Sequence, residues 1–142
     1  MLSSDLKLTG HVTVEINGEV VQEVPNLVVT TGKNFVASRI KDSSANLMSH
    51  MAVGTNNASP AAGNTSLGTE VARVALDSTS TSANTVTYIC TFSAGVGTAG
   101  LIEAGLFSAS SGGTMLCHTL FGGIITKQAA DSMVLTWVLT VS

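Results

Sequence analysis

The sequence predicts an all-β fold: an antiparallel β-sandwich of the jelly-roll or Greek-key type, with one short helix near residues 32–41. Two observations carry this prediction. Short segments in which apolar and polar residues alternate recur along the chain, separated by turn-forming residues. Strands do not alternate regularly with helices, as they would in a parallel sheet. A closed barrel is the alternative arrangement for the same strands.

The length of 142 residues suits one domain with its own core. We assign residues 11–142 to this domain and residues 1–10 to an N-terminal arm. The arm has too few apolar residues to fold alone, and the first alternating segment begins at His11.

The domain opens with a predicted hairpin and a predicted helix. Residues 11–16 alternate, Asn17-Gly18 forms a two-residue turn, and residues 19–24 return as the partner strand. Residues 27–30 are a short β-branched run. Apolar residues at helical spacing then predict a helix over residues 32–41, with Thr31 as its N-cap.

A short strand over residues 51–54 precedes a fourteen-residue loop, 55–68, that has no hydrophobic period. Loops of this length in compact domains are usually functional, and this one contains no catalytic group. We therefore expect the loop and the arm to contact a partner protein. The candidate contact residues are Leu2, Ser3, Ser4, Asn56, Asn57 and Asn64.

The next segments predict strands at residues 71–76 and 84–92, with a turn over residues 77–83 between them. Residues 101–107 and 114–121 form a central hairpin. In its first strand Ile102, Ala104 and Leu106 share one face, and Leu101, Glu103, Gly105 and Phe107 share the other. The last strand, 133–141, places Trp137 in the core. The predicted core residues are Trp137, Tyr88, Phe92 and Leu106.

The composition excludes several classes of function. The net charge of −3 and six scattered basic residues argue against binding to nucleic acid. The sequence has no run of 18 apolar residues and no apolar signal-peptide region, so we expect no membrane contact and a cytoplasmic site of synthesis. Only 11% of the residues are charged, which suits a surface covered by partners. A monomeric, weakly charged β protein is the alternative.

No group of residues predicts an enzyme, a metal site or a cofactor. His11, His50 and His118 belong to no ligand pair of known spacing, and the adjacent Cys117 and His118 face opposite sides of a strand. We expect Cys90 and Cys117 to be buried thiols rather than a disulfide.

Glu103 is the one carboxylate that interrupts an apolar strand. A buried carboxylate needs a partner, and we predict a structural ion pair between Glu103 and Arg73.

Several motifs resemble small structural proteins of tailed bacteriophages, including capsid decoration (cement) proteins and tail-fibre modules. The similarity extends from about residue 27 onward. These motifs are Met51-Ala-Val-Gly-Thr55, Ser59-Pro-Ala-Ala62, Leu67-Gly-Thr-Glu70, Ile102-Glu-Ala-Gly-Leu-Phe107, Ser111-Gly-Gly-Thr-Met-Leu116 and Leu135-Thr-Trp-Val-Leu139. Such proteins often carry an arginine after the Met-Leu pair, where this chain has Cys117 and His118.

The resemblance implies a jelly-roll subunit on the capsid surface of a virion, which trimerises and stabilises the head by bridging major capsid proteins. We expect a homotrimer whose interface uses the second faces of residues 101–107 and 133–141. A tail module that contacts the host surface is the first alternative, and a small β-sandwich hydrolase is the second.

Overall fold

The structure, a computed structural model, describes residues 6–142 and consists of two five-stranded antiparallel sheets packed face to face. The predicted β-sandwich is therefore confirmed. The elements are β1 (Leu8–Ile16), β2 (Glu19–Pro25), β3 (Leu27–Val28), α1 (Thr30–Lys41), β4 (His50–Gly54), β5 (Glu70–Ala75), β6 (Ser78–Ser82), β7 (Thr85–Phe92), β8 (Ala99–Phe107), β9 (Met115–Lys127) and β10 (Met133–Val141).

Sheet A has the strand order β2-β1-β10-β7-β6, and sheet B has the order β3-β9-β8-β4-β5. The last strand, β10, lies in the middle of sheet A, between β1 and β7. In sheet B, β4 pairs with β8, which follows it only after β5, β6 and β7. Each sheet therefore combines strand pairs that are distant in sequence with pairs of consecutive strands.

The core between the sheets contains all four predicted core residues. Trp137, Phe92 and Leu106 are fully buried and Tyr88 is nearly so. Trp137 lies directly opposite Tyr88 across the β10–β7 pair, so the two share the inner face of sheet A. The alternation of apolar and polar residues in β10 predicted this correctly, because one face of the strand meets the core and the other does not.

A register shift in the central hairpin changes which residues reach the core. The pairing of β8 with β9 slips between Leu101 and Glu103. Leu101 therefore joins Ala104 and Leu106 in the core, and Ile102 stays half-buried. The prediction that Ile102 shares the core face was wrong, because a bulge breaks the period of two.

The N-terminal hairpin is confirmed, but its first strand begins earlier in the chain than predicted. Asn17 and Gly18 have φ angles of 51° and 84°, the positive values that a tight two-residue turn requires. Strand β1 begins at Leu8, which pairs with Val141. Residues 8–10 therefore belong to the domain and not to an arm.

Helix α1 begins at Thr30, two residues before the predicted start. Val29 occupies the N-cap position and makes no side-chain cap hydrogen bond. Thr31, the predicted N-cap, instead donates its hydroxyl proton to the carbonyl oxygen of Met115, at 2.7 Å. The helix packs closely on β9 at Gly32, where a Cβ atom would collide with the carbonyl oxygen of Leu116.

The predicted turn over residues 77–83 contains a strand. Ser78–Ser82 forms β6, which pairs with β7 at the edge of sheet A. Every residue of β6 is exposed. The strand therefore carries no hydrophobic alternation, and the sequence pattern missed it.

The outer face of sheet B is covered by the chain itself. Residues 55–69, which we call the anchored loop, connect β4 to β5 and lie over this face. Leu67 from the loop is buried with Val29, Ala52, Phe107 and Met115 in a second, smaller apolar cluster. Within residues 6–142, no helix is long and apolar enough to span a membrane.

Candidate functional site

Glu103 is buried on the outer face of sheet B, beneath the anchored loop, with 1% of its surface exposed. Its carboxylate accepts hydrogen bonds from three backbone amides. Gly68 donates to Oε1 at 2.9 Å, and Asn56 and Thr69 donate to Oε2 at 3.0 and 2.9 Å. These amides belong to the two ends of the loop, so one carboxylate holds both ends together.

Gly54 creates the space that the Glu103 side chain occupies. The two residues are opposite each other in the β4–β8 pair. A Cβ atom at Gly54 would collide with the Glu103 carboxylate and with the Thr69 carbonyl oxygen. The glycine therefore allows the carboxylate to lie flat over β4 and reach the loop.

His118 is the fourth hydrogen-bonding partner of Glu103. It lies on β9 opposite Gly105, which makes it a diagonal neighbour of Glu103 on the same face. Its Nε2 atom is 3.1 Å from Glu103 Oε1, and only 4% of the residue is exposed.

The other ring nitrogen of His118 contacts the loop. Nδ1 is 2.9 Å from Asn64 Oδ1, and that oxygen also accepts a hydrogen bond from the Ala61 amide at 2.7 Å. The Ala61 donor identifies the Asn64 atom as an oxygen, so His118 Nδ1 must be the donor. Both ring nitrogens thus lie within hydrogen-bonding distance of side-chain oxygens. We call Glu103, His118 and Asn64 the loop anchor.

A cleft of about 380 Å³ lies above the loop anchor, lined by Asn56, Asn64, Ser66, Glu103 and His118 among others. A carboxylate beside an imidazole can serve as an acid–base pair when one of the groups can exchange a proton with a substrate. Here the chain itself uses both carboxylate oxygens and both ring nitrogens. The arrangement fixes a loop and leaves no free ring nitrogen for a reaction.

The predicted ion pair between Glu103 and Arg73 is not formed. Both side chains lie on the outer face of sheet B, but β4 separates β5 from β8. Arg73 instead pairs with Glu70 at 2.7 Å, stacks on the Phe107 ring at 3.8 Å, and donates to the carbonyl oxygens of Ala109 and Gly112. Arg73 therefore holds the loop of the central hairpin.

Of the three predicted contact residues in the loop, two form hydrogen bonds and the third is exposed. Asn56 Oδ1 accepts a hydrogen bond from the Ala58 amide, and Asn64 belongs to the loop anchor. Asn57 is exposed. Leu2, Ser3 and Ser4 lie outside the described residues.

Cys90 and Cys117 are both buried free thiols. Burial raises the pKa of the Cys90 thiol to about 12 and holds the pKa of the Cys117 thiol far above its usual value. Both side chains belong to the main core and act there as small apolar groups.

One of the two surfaces predicted to join subunits is not accessible. The second face of β8, with Glu103, Gly105 and Phe107, lies under the anchored loop and the second apolar cluster. The second face of β10 is open, with Val134, Thr136, Val138 and Thr140 half-buried. The prediction that subunits meet through this face of β8 is therefore wrong, because the chain itself covers the face. The homotrimer itself stays a prediction.

Within the described chain, no group of three or more His, Cys, Asp or Glu side chains is arranged to bind a metal ion. Comparisons of the chain with protein-family models, curated protein sequences and solved structures gave no match.

Proposed function

We propose that this chain is a structural subunit of a bacteriophage particle, a capsid decoration protein that binds the assembled head and bridges neighbouring major capsid proteins. The observation that carries the proposal is the loop anchor. In the loop anchor, a buried carboxylate and a buried histidine hold residues 55–69 in one shape through hydrogen bonds. A protein that works by contact needs such a fixed loop, and it needs no reactive group.

The tip of the anchored loop is exposed and uncharged, which supports contact with a protein surface. Asn57, Ala58 and Ser59 are exposed, and residues 55–69 contain no charged side chain. A loop held in one shape before binding loses little conformational entropy when it binds. The tip therefore supports contact through backbone groups and small side chains rather than recognition of a charged ligand.

The mechanism of such a protein is mass action. A partner that binds only the assembled shell stabilises the shell by RT ln(1 + [L]/Kd), about 4 kcal/mol at a thousandfold excess over Kd. The proposal that the chain is located on the phage head rests on the sequence motifs alone. This location implies synthesis in the host cytoplasm, residence on the capsid surface, and no role for nucleic acid, membrane or cofactor.

The test uses empty heads of the phage that encodes the chain, prepared without it. Purified wild-type chain should sediment with these heads to saturation and raise their melting temperature. Ala58→Lys and Ser59→Lys, which place a charge on the loop tip, should weaken binding at least about tenfold, since an unpaired charge in an interface is costly. Ile124→Lys is the matched control, because Ile124 is exposed and lies outside the loop.

One result would refute the proposed function, and another would refute the proposed contact site. If the wild-type chain does not bind the heads, the chain is not a decoration protein. If it binds and the two loop variants bind equally well, the loop is not the contact. A count of copies in intact particles separates head from tail, because a shell component is present in many copies and a tail component in few.

A further inference from the structure

The basic side chains that reach solvent lie together at one end of the sandwich. The chain has six lysine and arginine residues, and two of them are internal. Arg73 pairs with Glu70 and has 7% of its side chain exposed, and Lys127 is buried. The other four lie on α1 or beside it; they are Lys7, Lys33, Arg39 and Lys41. We call the surface formed by α1 and the start of β1 the basic end.

An apolar groove of about 270 Å³ is open at the basic end. It lies between α1 and the ends of β1 and β10, and its apolar lining includes Leu8, Phe35, Val36, Ile40, Leu139 and Val141. Ile40 is 78% exposed at the rim. Arg39 lines the groove, and Lys33 lies on the same helix face as Val36 and Ile40. Neither Lys33 nor Arg39 pairs with a carboxylate among the described residues.

The N-terminal hairpin carries a second surface, with the opposite charge. Its members are Glu15, Glu19, Val20, Val21 and Glu23. Val20 and Val21 are 56% and 47% exposed on the edge strand β2, and Val20 lies opposite Glu15. Neither β1 nor β2 contains a lysine or an arginine. We call this surface the acidic edge.

The two surfaces are too far apart to meet within one molecule. Glu19 lies opposite Ile16, eight residues along β1 from Leu8, which is about 27 Å. Glu23 lies opposite Thr13 and is about 17 Å from Leu8 along the strand. Both distances exceed the Debye length of about 8 Å at physiological ionic strength. The charges of one surface therefore do not neutralise those of the other in a single copy.

The two surfaces complement each other in shape and in charge. The basic end is an apolar groove with a basic rim, and the acidic edge is an edge strand with exposed valines among carboxylates. Protein interfaces typically have such an apolar centre and a polar rim. A second copy of the chain therefore supplies the partner that each surface needs.

We propose that copies of this chain bind head to tail, with the acidic edge of one copy on the basic end of the next. The exposed valines of the edge cover the groove, and its glutamates face the lysines at the rim. A contact between two different surfaces leaves one of each unused in a pair, so further copies add until a ring closes or a filament grows. The homotrimer expected from the sequence needs a contact of this kind. The proposal does not depend on the attachment of the anchored loop to a shell.

Sedimentation velocity over a range of protein concentrations tests the proposal, at about 0.05 M and about 0.5 M salt. The wild-type chain should associate, and the higher salt should weaken the association because it screens the charges. Glu19→Lys should raise the dissociation constant at least about tenfold, because it places a lysine against a basic surface. Asp77→Lys is the matched control. It makes the same change of charge before β6, at the opposite edge of sheet A, and should associate like the wild type.

Exchanging the charges of the two surfaces identifies the contact. One variant carries Glu19→Lys and Glu23→Lys, and the other carries Lys7→Glu and Lys33→Glu; all four positions are exposed. Each variant alone should stay monomeric, because its two surfaces then have the same sign. A mixture of the two should associate, because every contact between unlike chains then joins opposite charges. Thermal unfolding checks that the variants are folded, and the single changes Glu23→Lys and Lys33→Glu replace a double variant that is not.

Three results would each overturn the proposal. They are a wild-type chain that stays monomeric at every concentration in low salt, an association that neither Glu19→Lys nor high salt weakens, and a mixture of the exchanged variants that stays monomeric. The first result would leave both surfaces to a different partner. None of them bears on whether the loop docks on a shell, because Ala58 and Ser59 belong to neither surface.

Discussion

Replacing Glu103 with glutamine tests whether one carboxylate holds the anchored loop in place. Glutamine keeps the size of the side chain but replaces one acceptor oxygen with an NH2 donor. If the NH2 group takes the Oε2 position, the amides of Asn56 and Thr69 lose their acceptor. If it takes the Oε1 position, Gly68 and His118 lose theirs. In either orientation, the NH2 group of the glutamine faces two other donors and accepts a hydrogen bond from neither.

The expected loss follows from the burial of these groups. A hydrogen bond to a charged group contributes about 1.5–3 kcal/mol, and a buried donor without an acceptor costs about 1–3 kcal/mol. The loop can open to water, which limits the penalty. We therefore expect Glu103→Gln to lower the free energy of unfolding by about 2–4 kcal/mol.

Urea denaturation measures this loss, and amide hydrogen exchange locates it. The amides of Asn56, Gly68 and Thr69 should exchange faster in the variant, while those of sheet A should keep their protection relative to global unfolding. Glu70→Gln is the matched control. Glu70 is more than one-third exposed and its partner Arg73 keeps two carbonyl acceptors, so the control should cost less than about 1 kcal/mol. A Glu103→Gln protein with wild-type stability and unchanged protection of the three amides would refute the reasoning.

Three further predictions concern the core, the helix and alkaline pH. Trp137→Ala should lower the free energy of unfolding by about 3–5 kcal/mol. Trp137→Phe should cost much less, because Trp137 Nε1 has no hydrogen-bond partner in the described chain; equal losses in urea denaturation would contradict this. Gly32→Ala should cost about 1–3 kcal/mol by pushing α1 away from Leu116, whereas Gly63→Ala, whose Cβ meets open space, should be tolerated. Burial raises the pKa of Cys90 from 9.0 to about 12 and that of Tyr88 from 10.0 to about 12. The unfolded chain therefore loses these protons first, and stability should hold below pH 9 and fall as the pH rises towards about 12. Urea midpoints across this range should fall less steeply for Cys90→Ala than for the wild type, and parallel curves would speak against the thiol.

The sequence predicted the strands that have one buried face, because apolar residues then recur at every second position. Strand β10 matched its predicted bounds, and Trp137 was placed correctly, because alternate residues of this strand meet the core and the open face. Strand β6 was missed because both of its faces are exposed and no apolar residue marks it. The position of Ile102 was missed because a bulge depends on the pairing of two strands and not on one strand alone.

The loop anchor was only partly predictable. The sequence identified Glu103 as a buried carboxylate in need of a partner, but it suggested Arg73, which is a whole strand away. The hairpin was predicted without a register, and it is the register of β8 with β9 in the structure that puts His118 opposite Gly105 and so beside Glu103. The backbone amides of Asn56, Gly68 and Thr69 could not be predicted, because they approach Glu103 only after the loop has folded over the sheet.

The central place of β10 in sheet A determines when the protein can fold. Until residues 133–141 have been synthesised, β1 and β7 each lack a neighbour, and their open edges can pair with other chains. The register also joins Leu8 to Val141, so nearly the whole chain must be looped before the sheet can close. Chains with such distant contacts fold in milliseconds to seconds, slowly for their size. Folding must therefore be completed after translation has passed residue 141, and a chain that stops before residue 133 loses the middle of a sheet rather than its edge.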